Sequence, residues 1–177
     1  MEHYGAKNIY LQIKRTLFVN CLEIKHHQIY GIPPNETLAT IPWEDAMLID
    51  YDAIISGKPD FKLYDSISKF LEIVVFNLSY RVDDVIDSMI SGASKVVIDS
   101  QSSEDTIDKL LNISGDIVLP ASRIDVAYSF TRNGGKYFIS NGPIPYDFEL
   151  CYNVGVALSS DKYVDVKDFP QDLIHFI

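Results

Sequence analysis

The chain has 177 residues, of which 47% are hydrophobic and 23% charged, as expected for one globular domain. Its formal net charge of −10 argues against nucleic acid or an anionic membrane as a partner, because both require a positive surface. No apolar run approaches the roughly 18 residues of a membrane span, and no signal-peptide pattern opens the sequence. These features predict a cytoplasmic protein. The two cysteines are interpreted as buried free thiols.

The middle of the chain repeats a strand followed by a helix. Apolar strand cores begin near positions 74, 96 and 117, and helical patterns separate them. Ser102 and Asp105 predict a capping box at the start of the second of these helices. A strand at 46–50 and a helix that starts after Asp60 add another unit upstream. Strands that are apolar on both faces and are joined by helices indicate a parallel sheet.

The two ends of the chain depart from this repeat. Residues 17–24 form a strand pattern, but the proline-containing stretch 31–45 predicts a loop in place of the next helix. Residues 125–130 and 136–140 flank Asn133-Gly134-Gly135, which predicts a hairpin. Two more short strands and a final helical turn or two follow. The sequence therefore predicts eight or nine strands but only three or four helices.

Four stretches of sequence carry a family resemblance. Residues 50–59 read Asp-Tyr-Asp-Ala-Ile-Ile-Ser-Gly-Lys-Pro, and residues 92–100 read Gly-Ala-Ser-Lys-Val-Val-Ile-Asp-Ser. Residues 78–84 (Leu-Ser-Tyr-Arg-Val-Asp-Asp) and 20–25 (Asn-Cys-Leu-Glu-Ile-Lys) belong to the same likeness. Together they resemble strand ends of phosphoribosylformimino aminoimidazole carboxamide ribotide isomerase, the (βα)8-barrel isomerase of histidine biosynthesis, and of its sister cyclase. The resemblance covers roughly residues 17–120.

The resemblance implies a reaction and two catalytic candidates. The family performs an Amadori rearrangement of a phosphoribosyl aminoaldose, which needs a general acid and a general base. Glu23 stands where the family has its strand-one aspartate, and Asp50 is the other acid–base candidate. Ser122 stands at the position of the family's strand-five aspartate. Asp125, three residues later, takes this position only if the alignment is shifted. Because a serine cannot act as the second carboxylate, the sequence predicts weak or lost isomerase activity.

Five residues at strand ends, where barrel sites gather, are predicted to contact a ligand. They are Asp52, Arg81, Asp99, Ser100 and Ser122. The phosphate-site glycines of the family are replaced by residues 77–79 and by Asp99-Ser100, and a carboxylate there repels a phosphate. Structural roles are the alternative: Asp50 and Asp52 holding a loop or turn, and Asp99-Ser100 capping a helix.

No metal and no cofactor is predicted, because no strand end collects His, Cys and carboxylate ligands at a readable spacing. The minor alternative is Mg²⁺ held by Asp50, Asp52 and Asp99, since this ion prefers oxygen ligands. A small-molecule ligand, including a phosphorylated one, is left open as a partner.

We predict one α/β domain over residues 1–177, folded as a reduced TIM-type (βα)8 barrel with several helices missing. An open, doubly wound parallel sheet is the alternative. The predicted function is a diverged homologue of the isomerase with weak or lost activity, and the alternative is a non-catalytic binding or interaction module. If the chain is enzymatic, it acts on a phosphoribosyl compound.

The missing helices also predict a homodimer. Leu17, Val19 and Cys21 would form one apolar face of the first strand, and Phe18 and Leu22 the other. An uncovered apolar wall is unusual in a monomer, so a second copy is expected to cover it. The alternative cover is the N-terminal segment, whose apolar residues are Ile9, Leu11 and Ile13.

Overall fold

The computed structural model describes residues 18–155 and 162–177. Its strands are β1 (Phe18–Lys25), β2 (Gln28–Tyr30), β3 (Asp45–Asp50), β4 (Glu72–Ser79), β5 (Ala93–Ile98), β6 (Ile117–Pro120), β7 (Tyr137–Ser140), β8 (Leu150–Asn153) and β9 (Tyr163–Lys167). Its helices are α1 (Tyr51–Ser56), α2 (Phe61–Ser68), α3 (Val82–Ile90), α4 (Glu104–Ile113), α5 (Ala127–Arg132) and a C-terminal 3₁₀ helix (Gln171–Phe176).

Eight of the strands form a closed parallel barrel. The spatial order is β1-β3-β4-β5-β6-β7-β8-β9, and β9 pairs in parallel with β1 through Phe18–Asp165, Val19–Val166 and Asn20–Lys167. Strand β2 lies outside this ring as an antiparallel partner of β1. The predicted reduced TIM-type barrel is therefore confirmed, and the open doubly wound sheet is wrong.

The barrel has two apolar layers, because successive side chains of a strand point to opposite faces. The inner layer fills the barrel and includes Val19, Met47, Phe76 and Val166. The outer layer lies between the strands and the surrounding helices and loops, and it includes Leu22, Leu48, Tyr64, Val75 and Phe130. A given strand residue can therefore be assigned to the inside or the outside of the barrel.

The strand and helix repeat in the middle of the chain is confirmed. Helix α2 begins after Asp60, whose side chain accepts a hydrogen bond from the Leu63 N–H at 3.4 Å. Helix α4 begins one residue later than the predicted capping box, because Ser103 accepts from the Thr106 N–H at 3.1 Å. Ser102 is buried instead, and its hydroxyl has no partner among the described residues.

The hairpin predicted around residues 125–140 is wrong. Helix α5 occupies 127–132, and β7 pairs in parallel with β6 and β8. The buried residues Val126, Ala127 and Phe130 share the i, i+1, i+4 spacing of a helix face. A packed helix therefore precedes Asn133-Gly134-Gly135, where the turn pattern had suggested a strand.

Loops cover the side of the barrel that lacks helices. Leu22 and Ile24 on β1 have no exposed surface, and residues of the 29–43 segment pack against them. Phe138 on β7 is buried under Tyr146 and Phe148 of the following loop. The bare wall from which the homodimer was predicted is thus largely covered in the described structure. The exposed apolar residues on this side are Phe18 and Tyr30.

No helix within 18–155 and 162–177 is long and apolar enough to cross a membrane. The alternative cover proposed for the barrel wall, with Ile9, Leu11 and Ile13, falls in residues 1–17 and lies outside the described residues. The two cysteines are free: Cys151 is buried and Cys21 is half-buried.

Candidate functional site

The mouth of the barrel, at the C-terminal ends of its strands, is filled by the end of the chain itself. Phe169 and Leu173 are buried in the inner apolar layer, and Ile174 and Phe176 pack against it. The rings of Phe169 and Phe76 meet edge to face at 5.3 Å between centroids. The Tyr51 hydroxyl donates to Asp172 at 3.3 Å. In TIM-type barrels this mouth is where substrates bind.

A cavity of about 370 Å³ opens beside this filled mouth, at the seam between β1 and β9. The two strands separate there, because their pairing ends at Asn20 and Lys167. The cavity is lined by Asn20, Cys21, Glu23, Gly31, Pro33, Trp43, Lys167 and Asp168. We call it the seam cavity. Glu23, the first catalytic candidate, therefore faces an open space.

Glu23 and its neighbours give the seam cavity an acidic character. The Glu23 side chain is 27% exposed and lies 3.9 Å from Lys25, a long ion pair. Burial raises the pKa of the Cys21 thiol to about 12, and the nearby carboxylates of Glu23 and Asp168 raise it further. The thiol is therefore protonated at neutral pH and is not a nucleophile.

Asp50, the second catalytic candidate, is fully buried in the outer layer of the barrel. One carboxylate oxygen accepts from the Ala53 N–H at 3.0 Å and caps helix α1. The other accepts from the Asp60 N–H at 3.0 Å and from the Tyr64 hydroxyl. Burial raises the pKa of Asp50, although these hydrogen bonds oppose the shift. The structure gives Asp50 the structural role that was the alternative to catalysis.

A chain of buried hydrogen bonds continues from Asp50 along the outer layer. The Asn77 side-chain amide donates to the Tyr64 hydroxyl at 3.2 Å and to the Ser88 hydroxyl at 3.1 Å. The Asn77 carbonyl oxygen accepts from the backbone and the hydroxyl of Ser79. All four hydrogen-bonding positions of this amide are used. The network ties β3, β4, α2 and α3 together and leaves Asn77 with nothing to offer a ligand.

Asp52 holds the hairpin between β1 and β2. Its two carboxylate oxygens accept from the backbone N–H groups of His26 and His27, each at 2.9 Å. Both histidines have positive φ, 52° and 59°, as the turn requires. The hydrogen bond from the His27 backbone is the main cause that lowers the pKa of Asp52. This is the turn-holding role that was the alternative to ligand binding.

The turn also brings together three groups of the kind that bind metals. His27 Nδ1 lies 2.9 Å from an oxygen of Asp60, and one donor atom each from His27, Asp52 and Asp60 lies within 4.8 Å of the others. Spacing along the chain did not reveal this group, because the residues come from the β1–β2 turn, helix α1 and the N-cap of helix α2. Asp50 is enclosed in the outer layer, so the set of Asp50, Asp52 and Asp99 considered for Mg²⁺ is not presented to one open site.

A second, smaller cavity of about 240 Å³ lies at the C-terminal ends of β3, β4 and β5. Asp84 and Asp99 line it together with Tyr80 and Phe176. Asp99 accepts from the Gln101 N–H at 2.6 Å, so it forms a local turn and does not cap α4. Arg81 is exposed at the N-cap position of α3, and its side chain makes no capping hydrogen bond.

Arg123 joins two loops at the same end of the barrel. Its guanidinium donates to the backbone oxygens of Ser100, at 3.0 Å, and of Ser102. It also forms a bidentate ion pair with Asp125 at 3.0 and 3.1 Å. Ser100 thus contributes a backbone oxygen here, whereas Ser122 is exposed. The Asp125 carboxylate is paired with Arg123, so this residue does not supply the carboxylate that Ser122 lacks.

A third depression, about 720 Å³, lies on the outer wall between α5 and the loop that precedes β8. It lies beside the N-terminal ends of β7 and β8, away from the barrel mouth, and two of its charged residues, Lys136 and Glu149, pair with each other at 3.7 Å. The seam cavity is therefore the better candidate site. Sequence reasoning found Glu23 but missed Trp43, Lys167 and Asp168. For the last two, the available signal was their position at the C-terminal end of a predicted strand, which β9 confirms.

Comparison with known proteins adds no activity. No family model matches the chain, and no curated protein matches its sequence. Among solved structures, it is similar to thiamine phosphate pyrophosphorylase from Pyrococcus furiosus, with a TM-score of 0.48 and 11% identity over 94% of this chain and 93% of that one. The assignment to the TIM-type barrels rests on the strand order and closure of the chain itself.

Proposed function

We propose that the chain is a diverged homologue of the histidine-biosynthesis isomerase with weak or lost isomerase activity. The proposal combines the resemblance at strands β1, β3, β4 and β5 with the barrel fold. The observation that carries the loss of activity is the placement of the candidate acid–base groups. Glu23 faces the seam cavity, Asp50 caps a helix on the outer side of the sheet, and Ser122 has no carboxylate. A proton shuttle needs two groups that reach the same substrate.

The filled mouth supports the same proposal. A phosphoribosyl substrate would need the space that Phe169, Leu173 and Phe176 occupy. The carboxylates of Asp84 and Asp99 line the cavity that remains at β4 and β5, and they would repel its phosphate.

The test is a turnover assay of the purified protein with the aminoaldose substrate, using a family isomerase as the positive control. We expect little or no product above the uncatalysed rate. Robust turnover that Glu23→Gln abolishes and Lys109→Met, a surface change on helix α4, leaves intact would overturn the proposal.

The second candidate function is a non-catalytic small-molecule binding module on the same barrel. The seam cavity favours it, because it is concave, partly apolar and lined by several polar groups that converge on one space.

A further inference from the structure

We propose that the seam cavity binds a small amino-acid-like zwitterion, with Glu23 and Asp168 facing its ammonium group and Lys167 facing its carboxylate. The inference rests on the second candidate function, the binding module. It names the chemical class of the ligand, and it does not depend on whether weak isomerase activity survives.

The first support is the number of unpartnered polar groups around one cavity. Within the part of the chain that the structure describes, the side chains of Asn20, Trp43, Lys167 and Asp168 form no hydrogen bond or ion pair. Glu23 has a long contact with Lys25 at 3.9 Å, and the Tyr51 hydroxyl is a second polar neighbour of its carboxylate. Polar groups that converge on a concave, partly apolar space are the usual composition of a ligand site.

The second support is the balance of charge. Two carboxylates and one ammonium leave the lining with a net charge of −1. A phosphate would meet two carboxylates at close range, whereas an ammonium group would be attracted to both. The ligand is therefore an amine and not a phosphate ester. This argues against the phosphorylated ligand that the family resemblance left open.

The third support is the position of Lys167. It is paired in register with Asn20 across the seam, where the two strands separate. The ammonium of Lys167 and the amide of Asn20 can both donate hydrogen bonds to a carboxylate. Trp43 and Pro33 add apolar surface for a side chain. A zwitterion with an apolar side chain satisfies all of these groups, and a simple amine satisfies only the carboxylates.

The backbone at the seam is specialised in two places. Asp168 has a φ of 61°, a region that side-chain-bearing residues seldom adopt. Gly31 has a φ of 101°, and an added Cβ would come within 2.9 Å of the Cys21 carbonyl oxygen. Asn tolerates the conformation of Asp168 well, so Asp168→Asn removes its charge at little structural cost.

The experiment compares ligands that differ only in their charged groups. L-Phenylalanine, phenethylamine and hydrocinnamate form one set, and L-alanine, ethylamine and propionate form a smaller set. Trp43 is the sole tryptophan of the chain and lines the cavity, so its fluorescence reports binding directly. Calorimetry supplies a second readout. We expect the zwitterion to bind best within a set, the amine next and the acid least.

Variants of the cavity change this order if the assignment is right. Lys167→Met is expected to weaken phenylalanine binding about tenfold and to leave phenethylamine binding unchanged or tighter, because the variant removes a like charge from the amine. The double variant Glu23→Gln/Asp168→Asn is expected to place hydrocinnamate ahead of phenethylamine. Lys109→Met, on helix α4 between β5 and β6, is the control and leaves all affinities unchanged. If these residues had only a structural role, the variants would weaken the binding of all ligands alike.

Three results would overturn the inference. They are the absence of binding by the zwitterions of both sets, a ligand order that the cavity variants do not change, and binding of inorganic phosphate that Lys167→Met abolishes. Each differs from failure of the proposed function, which shows as Glu23-dependent turnover of the aminoaldose.

Discussion

Replacing Tyr64 by phenylalanine tests whether the buried network around Asp50 holds the barrel together. Tyr64 and Asp50 have no exposed surface, and the Tyr64 hydroxyl donates to Asp50 and accepts from the Asn77 amide. Tyr64→Phe removes only the hydroxyl and keeps the ring, which forms a T-shaped pair with Phe61 at 5.9 Å between ring centroids.

The expected loss follows from the two hydrogen bonds. A hydrogen bond to a charged group contributes roughly 1.5–3 kcal/mol, and the Asn77 amide loses one of its acceptors in addition. We expect the free energy of unfolding to fall by about 2–3 kcal/mol at neutral pH. For a chain of this size, that corresponds to a drop in Tm of about 4–12 °C.

The loss is also expected to depend on pH. Burial already raises the pKa of Asp50, and the Tyr64 hydroxyl opposes that shift, so its removal raises the pKa further. A group whose pKa is raised on folding gives its full stabilisation below its unfolded pKa and loses it as the pH rises through the folded value. The difference between variant and wild type therefore shrinks when the pH falls far enough to protonate Asp50.

Denaturant unfolding of Tyr64→Phe at several pH values measures both effects. Tyr128→Phe is the matched control, because this tyrosine is 70% exposed. A loss below about 0.5 kcal/mol, no greater than that of the control, would refute a structural role for the network.

Three further predictions concern the hairpin, the loops and the oligomeric state. The hydrogen bond and the charge of Asp60 raise the pKa of His27. The ion pair between His27 and Asp60 is therefore fully formed below the ordinary histidine pKa, and it is lost as the pH rises through the raised pKa. The Tm difference between wild type and His27→Gln is therefore expected in mildly acidic buffer and not in alkaline buffer, and a pH-independent difference would contradict it. Arg123→Met is expected to speed amide hydrogen exchange in both loops that Arg123 joins, 99–103 and 121–126. Unchanged exchange would show that the contacts of Arg123 do not stabilise these loops. The homodimer remains a proposal, and it now rests on the exposed side chains of Phe18 and Tyr30. We expect light scattering to give about twice the chain mass of 20.0 kDa, and a measured mass of 20.0 kDa would reject the dimer.

Much of the fold was predictable because the local signals agree with the final packing. The middle strands are apolar on both faces, and helices α2, α3 and α4 carry one apolar face each. The predicted closure of the barrel between the first strand and a C-terminal strand was also correct. Helix α5 was missed because Asn133-Gly134-Gly135, which was interpreted as a hairpin turn, is where this short helix ends. Helix α1 was missed because it follows β3 directly, with Asp50 as its cap.

The candidate site was less predictable because it depends on contacts between distant residues. Glu23 was found from its place at the end of a strand. The roles of Asp50 and Asp52 depend on Tyr64, Asp60 and the β1–β2 turn, which no local pattern places beside them. Trp43 and Lys167 reach the seam cavity from opposite ends of the described chain, and only barrel closure brings them together.

Calorimetric titration of the protein with the aminoaldose substrate tests the proposed function most directly, because we propose that weak or lost isomerase activity follows from poor substrate binding. The account predicts weak or no binding, since Phe169 and Leu173 fill the mouth and the carboxylates of Asp84 and Asp99 line the cavity that remains beside it. Saturable binding of the aminoaldose that Glu23→Gln removes would contradict it.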